Sequence, residues 1–396
     1  MLMAGMLSNI TVLDLTNNLA GPYCTMLLAD MGANVIKIEV PPYGDDTRTG
    51  GPFVNGESTY FASVNRGKKG ITLNLKDEAG KAVLEKFIRR GDVLVQSFRP
   101  GVMEKLGFPF EKVSEINPRI VYASLSGFGQ TGPYSKKGAY DVVIQGYAGT
   151  MSITGEEGGG PVRVGYSIGD LAASLFSALA IAGALYAREQ IGKGQHLDIS
   201  MLDCQVALLE NALARYMATG KNPVPLGSRH PVLAPFQAYK AEDGYFILAI
   251  SNDKLFKSFC NVIGIPSVAD DDRFKTNALR AENLDHLNPI LTEVFRKKSK
   301  EYWIGLLESV GVPVGPINTI EDIVECPQTE AREMIVEVNH PRAGIMRMAG
   351  SPIKASLTPC SVRSAAPLLG QHTDEILSWL GYTRDQINAF KKKGVV

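Results

Sequence analysis

This chain of 396 residues has no excess of charge of either sign: Lys+Arg and Asp+Glu each number 41. The balance gives no electrostatic footing for a nucleic-acid partner or an acidic membrane surface. Cysteine is scarce and scattered. Cys24, Cys204, Cys260, Cys326 and Cys360 lie far apart, so no CxxC metal or redox pair exists. The odd set reads as reduced thiols, and a cytoplasmic location is expected. The five histidines (His196, His230, His286, His340 and His372) are too dispersed for a metal cluster. There is no HExxH and no GxxxxGK[ST] phosphate loop. No basic n-region with a small-residue cleavage site opens the chain, so no secretory signal is expected. One long uncharged run stands out, Leu171 to Ala187. It is short for a membrane span and diluted by alanine and serine, so it reads as a buried core helix.

What is present is alternation. Thr11 to Thr16 reads as a strand, Gly21-Pro22 opens a helix to about Met31, and Ala33 to Glu39 reads as a second strand. Lys69 to Leu75 (strand), Glu78 to Arg90 (helix), Asp92 to Gln96 (strand), Pro100 to Leu106 (short helix) and Arg119 to Ser126 (strand) continue the pattern. Asp170 to Gln190 reads as the buried helix, Gln195 to Ser200 as a strand and Met201 to Ala218 as another apolar helix. Alternating βα segments predict an α/β fold, Rossmann-like, with a parallel sheet. From about Pro223 the texture changes to a hairpin turned by Asp243-Gly244 and then amphipathic helices. The expected division is a large domain from 1–220 plus 330–396 and a smaller inserted α+β domain at 221–329.

Two motifs carry chemistry. Gly127 to Gly132 fits GxGxxG, but Pro133 follows where a helix should open. No acidic strand end lies about twenty residues on, so a mobile glycine loop is the better reading than a dinucleotide site. Basic residues recur at Arg66, Lys68, Lys69, Lys76, Arg99, Lys105, Lys136 and Lys137, several near strand ends, where a polyphosphate would want scattered cations. The second motif is Gly165-Tyr-Ser-Ile-Gly-Asp170, which meets the uncharged run. An aspartate opening a helix is either an N-cap or, in a dry pocket, a nucleophile. The helix N–H groups and dipole favour its anion, so Asp170 is expected to be ionised at neutral pH.

At these residues the chain resembles the class III coenzyme A transferases of the CaiB/BaiF type, the family of formyl-CoA transferase and carnitine CoA-transferase. The likeness is carried by LDLTxxxAGPxxxxxLADMGANVIKIE, NRGKKGITLNLK, DVLVQSFRPGVMEKLG, INPRIVYASLSGFGQTGPY, GAYDVVIQGYAG, GDLAAS, GKGQHLDISMLD and APLLGQHTDEILSWLGY, nearly the whole length in one order. The resemblance implies an acyl-CoA:carboxylate CoA-transferase in which Asp170 is the nucleophile and carries CoA as an aspartyl thioester. Acyl-CoA and a carboxylic acid are then the partners, CoA is substrate and product rather than cofactor, and neither metal nor cofactor is implied. CoA contacts carried over by motif are Leu19, Ala20, Leu73, Asn74, Leu75, Lys76, Ser97, Phe98, Arg99, Lys105 and Lys137. The resemblance also makes Tyr140 and Asp141 catalytic candidates, Asp141 as a polar support for the intermediate rather than a second nucleophile.

Two departures from formyl-CoA transferase, Leu19 for glutamine and Val40 for arginine, put formate or oxalate specificity in question. A run of glycines in that enzyme's small domain is also replaced here, by Gly227-Ser-Arg-His-Pro. Arg229 and His230 become candidates to meet a second carboxylate, as in succinate. The same fold includes α-methylacyl-CoA racemases, the alternative reading. Their catalytic histidine is replaced by Tyr140, a poor base at neutral pH, which favours transfer. The resemblance further implies an interlocked homodimer.

Overall fold

The computed structural model describes residues 5–396. The chain divides into two compact units: one contains residues 163–220 and 327–396 together with the N-terminal stretch to Met151, and the other contains Ser152–Val162 and Lys221–Cys326. The second unit takes in the segment 152–162, which the sequence reading left with the large domain.

The first unit is built on strands β1 (Thr11–Leu15), β2 (Asn34–Glu39), β5 (Lys69–Thr72), β6 (Val93–Gln96), β7 (Val121–Ser126) and β8 (His196–Ser200). Two-residue strands β3 (Phe53–Val54) and β4 (Glu57–Ser58) form a separate small ladder. The six longer strands make one sheet in the order β5-β2-β1-β6-β7-β8, every neighbour parallel. The expected α/β parallel-sheet class is what the chain adopts. From β1 the chain adds β2 and β5 on one side and β6, β7 and β8 on the other, so the topological switch point lies between β1 and β6. Alternation along the strands sorts the core. Val12, Val35, Val93, Val95, Val121 and Ala123 face one layer, and Leu13, Ile36, Ile71, Leu94 and Tyr122 face the other.

The first layer holds helices α1 (Ala20–Asp30) and α7 (Ile168–Ile191), packed against each other. Between them in sequence come α2 (Thr59–Asn65), α3 (Glu78–Arg90), α4 (Val102–Leu106), α5 (Phe110–Ile116) and α6 (Asp141–Tyr147), with α8 (Met201–Leu208) after β8. In α3 the buried Gly80, Val83, Leu84, Phe87 and Ile88 recur at helical spacing. Asp77 caps its start and Arg89 and Arg90 close it, both favourable to the helix dipole. Helix α7 is the apolar run. Ala172, Ala173, Ser177, Ile181, Ala184 and Leu185 are buried, and Gly192 stops the helix in the left-handed conformation at φ 74°. By length and composition alone α7 could cross a membrane.

The expected single helix from Met201 to Ala218 is two. It breaks at Glu210, whose φ of 38° is foreign to an α-helix. The GxGxxG segment forms no helix. Gly129 and Gly132 take positive φ, and the Gln130 N–H donates to the Asp198 carboxylate at 3.0 Å, so this loop's donor is spent on the protein's own acid.

The second unit has an antiparallel sheet ordered β11-β10-β9, from β9 (Phe236–Lys240), β10 (Tyr245–Ala249) and β11 (Val314–Pro316). Gly244 turns the β9–β10 hairpin as its sequence predicts. An aromatic core surrounds Phe295, with Phe246, Phe259 and Trp303 against it and the Trp303 indole donating to the Phe295 carbonyl at 2.8 Å.

Candidate active site

Strands β1, β5 and β6 end on one edge of the sheet, and the segments leaving them hold most of the expected CoA contacts. In open parallel sheets ligands bind at that edge, at the switch point. Leu19 and Ala20 follow β1, Leu73 to Lys76 follow β5, and Ser97, Phe98 and Arg99 follow β6. The β1 and β6 segments are tied across the switch point, the Asn17 N–H donating to Ser97 Oγ at 3.0 Å. Leu73 and Leu75 are in the core, so only their backbone could meet a ligand. Lys76, Arg99 and Lys105 are exposed, and Arg99 lies along the backbone at Gly138. Lys137 sits over the Tyr134 ring at 3.9 Å and donates to Tyr147 Oη at 3.0 Å.

The loop between β1 and α1 is held from below by buried charge. Lys37 pairs with Asp45 at 2.8 Å and Lys68 with Asp14 at 2.9 Å, all four side chains fully buried. Lys37 also donates to the Thr16 carbonyl, while Asp14 and Asp45 accept the N–H groups of Thr16 and Asn18. Burial alone would raise the Asp14 carboxyl, but Lys68 and Lys37 hold it well below the usual carboxylate range. Lys68 is therefore not one of a surface cluster of phosphate-seeking cations. Neither is Arg66, buried and paired with Asp30, nor Lys69, paired with Glu375.

Asp170 is the third residue of α7, not its cap. Ser167 holds the cap position, and no side-chain cap bond forms there. Ser174, one turn on, lies 2.6 Å from the Ala20 carbonyl and 2.7 Å from that of Asp170. This bolts the Asp170 turn to the start of α1. Close by is a cavity of about 290 Å³ lined by Leu19, Tyr23, Tyr60, Tyr166, Ser167 and Leu171 among others. The last two flank Asp170 in sequence. Asp141, buried at the start of α6, accepts the Gly169 N–H at 2.8 Å and the Gln145 amide at 2.7 Å. Burial, and behind it the Asp141 charge, pushes the Asp170 carboxyl up to about 7. Both act against the helix terminus, which was expected to keep Asp170 ionised at neutral pH.

Tyr140 caps α6 through its backbone, and its side chain is exposed. Arg229 and His230 belong to the second unit, and both are engaged there. Arg229 pairs with Glu157. His230 Nδ1 accepts the N–H groups of Val232 and Leu233 at 3.2 and 3.0 Å.

Sequence reasoning missed Tyr60, Gln145 and Gln205. The Tyr60 phenol is pushed up by burial and then by the charges of Asp170, Asp45 and Asp141. Gln205 is buried beside Gly169, its oxygen accepting from Thr150 at 2.6 Å and its amide nitrogen unpartnered among the described residues. The four-residue spacing of Asp141 and Gln145 was the available signal.

The chain is similar to known proteins over almost its whole length. The model of CoA-transferase family III matches residues 7–373. Acetyl-CoA:oxalate CoA-transferase of Acetobacter aceti is 46% identical, with 89% of this chain and 90% of that protein covered. Succinyl-CoA:glutarate CoA-transferase of Homo sapiens is 40% identical, with 98% and 90% covered. A solved CAIB/BAIF family protein from Brucella suis superposes with a TM-score of 0.85 at 37% identity, covering 95% of this chain and all of that one. With a family match over almost the entire length and the same architecture beneath it, the chain belongs to CoA-transferase family III and is an enzyme that transfers coenzyme A.

Proposed function

We propose that Asp170 carries the transfer covalently. The supporting observation is its setting: a desolvated carboxyl at the first turn of α7, bolted to the β1–α1 segment at the ligand edge of the sheet. One Asp170 oxygen attacks the acyl carbon of the donor thioester, and CoA leaves as thiolate, giving a mixed anhydride. The thiolate then attacks the aspartyl carbonyl carbon, the donor acid departs as carboxylate, and Asp170 holds CoA as a thioester. The acceptor carboxylate runs both steps in reverse. A dry pocket strengthens the nucleophile and protects the anhydride from water.

The acid class is proposed from relatives that act on oxalate, glutarate and mesaconate, which favours a dicarboxylate. Arg229 and His230 lend that reading no support, since each is occupied within its own unit. Leu73 to Lys76, Ser97 to Arg99 and Lys105 are proposed to receive CoA. We further infer a homodimer, supported by the apolar stripe on α7, where Leu175, Leu179 and Ile191 are exposed. A reducing, cytoplasmic setting is supported by the free cysteines. Asp170→Asn should lower exchange of labelled acid into the acyl-CoA pool by about three orders of magnitude or more. Retention of near-wild-type exchange rules the assignment out.

A further inference from the structure

Phe128, Tyr134 and Tyr147 form a closed aromatic triad. Their ring centroids lie 5.8, 5.1 and 5.7 Å apart, each pair edge to face. Phe128 belongs to the core, while Tyr134 and Tyr147 are exposed. The glycine loop between β7 and α6 builds the triad. Gly129 and Gly132, both at φ 85°, reverse the chain. A turn in which the Lys137 N–H donates to the Tyr134 carbonyl at 2.9 Å then folds Lys137 back over the Tyr134 ring. The ammonium lies 3.9 Å from the Tyr134 centroid and 5.1 Å from that of Tyr147, and it donates to Tyr147 Oη at 3.0 Å. Two rings and one hydroxyl thus hold one cation.

Two observations give this held cation a use. Unlike Arg66, Lys68 and Lys69, Lys137 pairs with no carboxylate among the described residues, and the same is true of Arg99. The residue after Lys137 is Gly138, and it lies against the Arg99 guanidinium: a Cβ there would stand 2.9 Å from Nη2. The loop therefore brings a second uncommitted cation to the segment that leaves β6. We propose that Tyr134 and Tyr147 are positioning residues for CoA, holding the Lys137 ammonium beside Arg99 so that the two cations meet a phosphate of CoA. This rests on the reading that CoA lies along the edge formed by the segments after β5 and β6. A free lysine loses rotamer entropy when it grips an anion. Here the tyrosines restrict it beforehand, and one N–H on Tyr147 leaves two for the ligand.

Calorimetric titration of free CoA into the intact protein tests this. Tyr147→Phe keeps the ring and removes the hydroxyl, and Tyr134→Leu removes the nearer ring face. Each should weaken CoA binding by about threefold to tenfold and raise KM for acyl-CoA to match, with kcat unchanged. In a Lys137→Ala background both should cost almost nothing, because the tyrosines act through the ammonium. Turnover of an acyl-pantetheine, which carries no phosphate, should be indifferent to all three substitutions. Dephospho-CoA then locates the contact. A loss with Lys137→Ala as large as for CoA assigns the diphosphate, and a smaller one the 3′-phosphate. The proposal is wrong if Tyr147→Phe and Tyr134→Leu leave CoA affinity unchanged. It is equally wrong if they tighten binding, since the rings would then be holding Lys137 back from CoA. Tyrosine substitutions that cost as much without Lys137 as with it would show a purely structural role. A wild-type protein that binds CoA, yet with an affinity untouched by Arg99→Ala and Lys76→Ala, would remove the edge reading itself and this proposal with it.

Discussion

Asp170 and its neighbour Gly169 show how tightly the first turn of α7 is fitted. A Cβ at 169 would stand 2.4 Å from Gln205 Nε2 and 3.1 Å from Asp141 Oδ1. Gly169→Ala is therefore expected to displace the turn, costing about 1–3 kcal/mol by overpacking and lowering kcat more than affinity for CoA. Denaturant melts and steady-state kinetics check this. The Asp170 carboxyl, raised from 3.8 to about 7, binds its proton more tightly folded than unfolded. Folding thus loses stability as pH rises from about 4 through 7. Asp170→Asn should accordingly be more stable than wild type at pH 8, by a few kcal/mol at most, with the gap closing toward pH 4. Thermal melts across that range read the difference; a constant gap would contradict the assigned burial. The aspartate itself was legible in the sequence, but its protonation was not. The like charge that disfavours its anion comes from Asp141, far back in the chain, and the rest from burial that only the fold creates.

At the level of elements, legibility followed periodicity. The strands β1, β2 and β6 and the helices α3 and α7 carry unbroken patterns, and each formed within a few residues of where the pattern placed it. Helix α6 was missed, because its seven residues, Asp141–Tyr147, are too few for a period to declare itself. The basic stretch before β5 misled for a different reason. Charge in a sequence reads as surface, yet Lys68 is wholly buried against Asp14, the Pro22 carbonyl and Asn65. Removing one member of such a pair leaves a buried charge uncompensated. Lys68→Met is expected to destabilise the first unit by about 3–5 kcal/mol. It should also loosen the β1–α1 loop, seen as faster amide exchange at residues 16–19. Unchanged protection there would mean the loop is held by its surface ties alone.

For the molecule as a whole, the order of strands explains why one edge gathers the ligand-facing segments. The switch point between β1 and β6 opens a crevice, and α7 delivers Asp170 beside the start of α1. The exposed stripe on α7 belongs to this scale. Leu179→Glu should turn the proposed homodimer into monomer in sedimentation experiments; a wild-type chain that is itself monomeric would remove that proposal. The covalent role of Asp170 can be read directly. Cleavage after Arg163 and Arg188 yields a peptide whose single acidic residue is Asp170. After brief reaction with acyl-CoA and rapid quench, mass spectrometry of that peptide should find CoA joined to Asp170. A peptide that stays unmodified while CoA exchange proceeds at full rate would contradict the account.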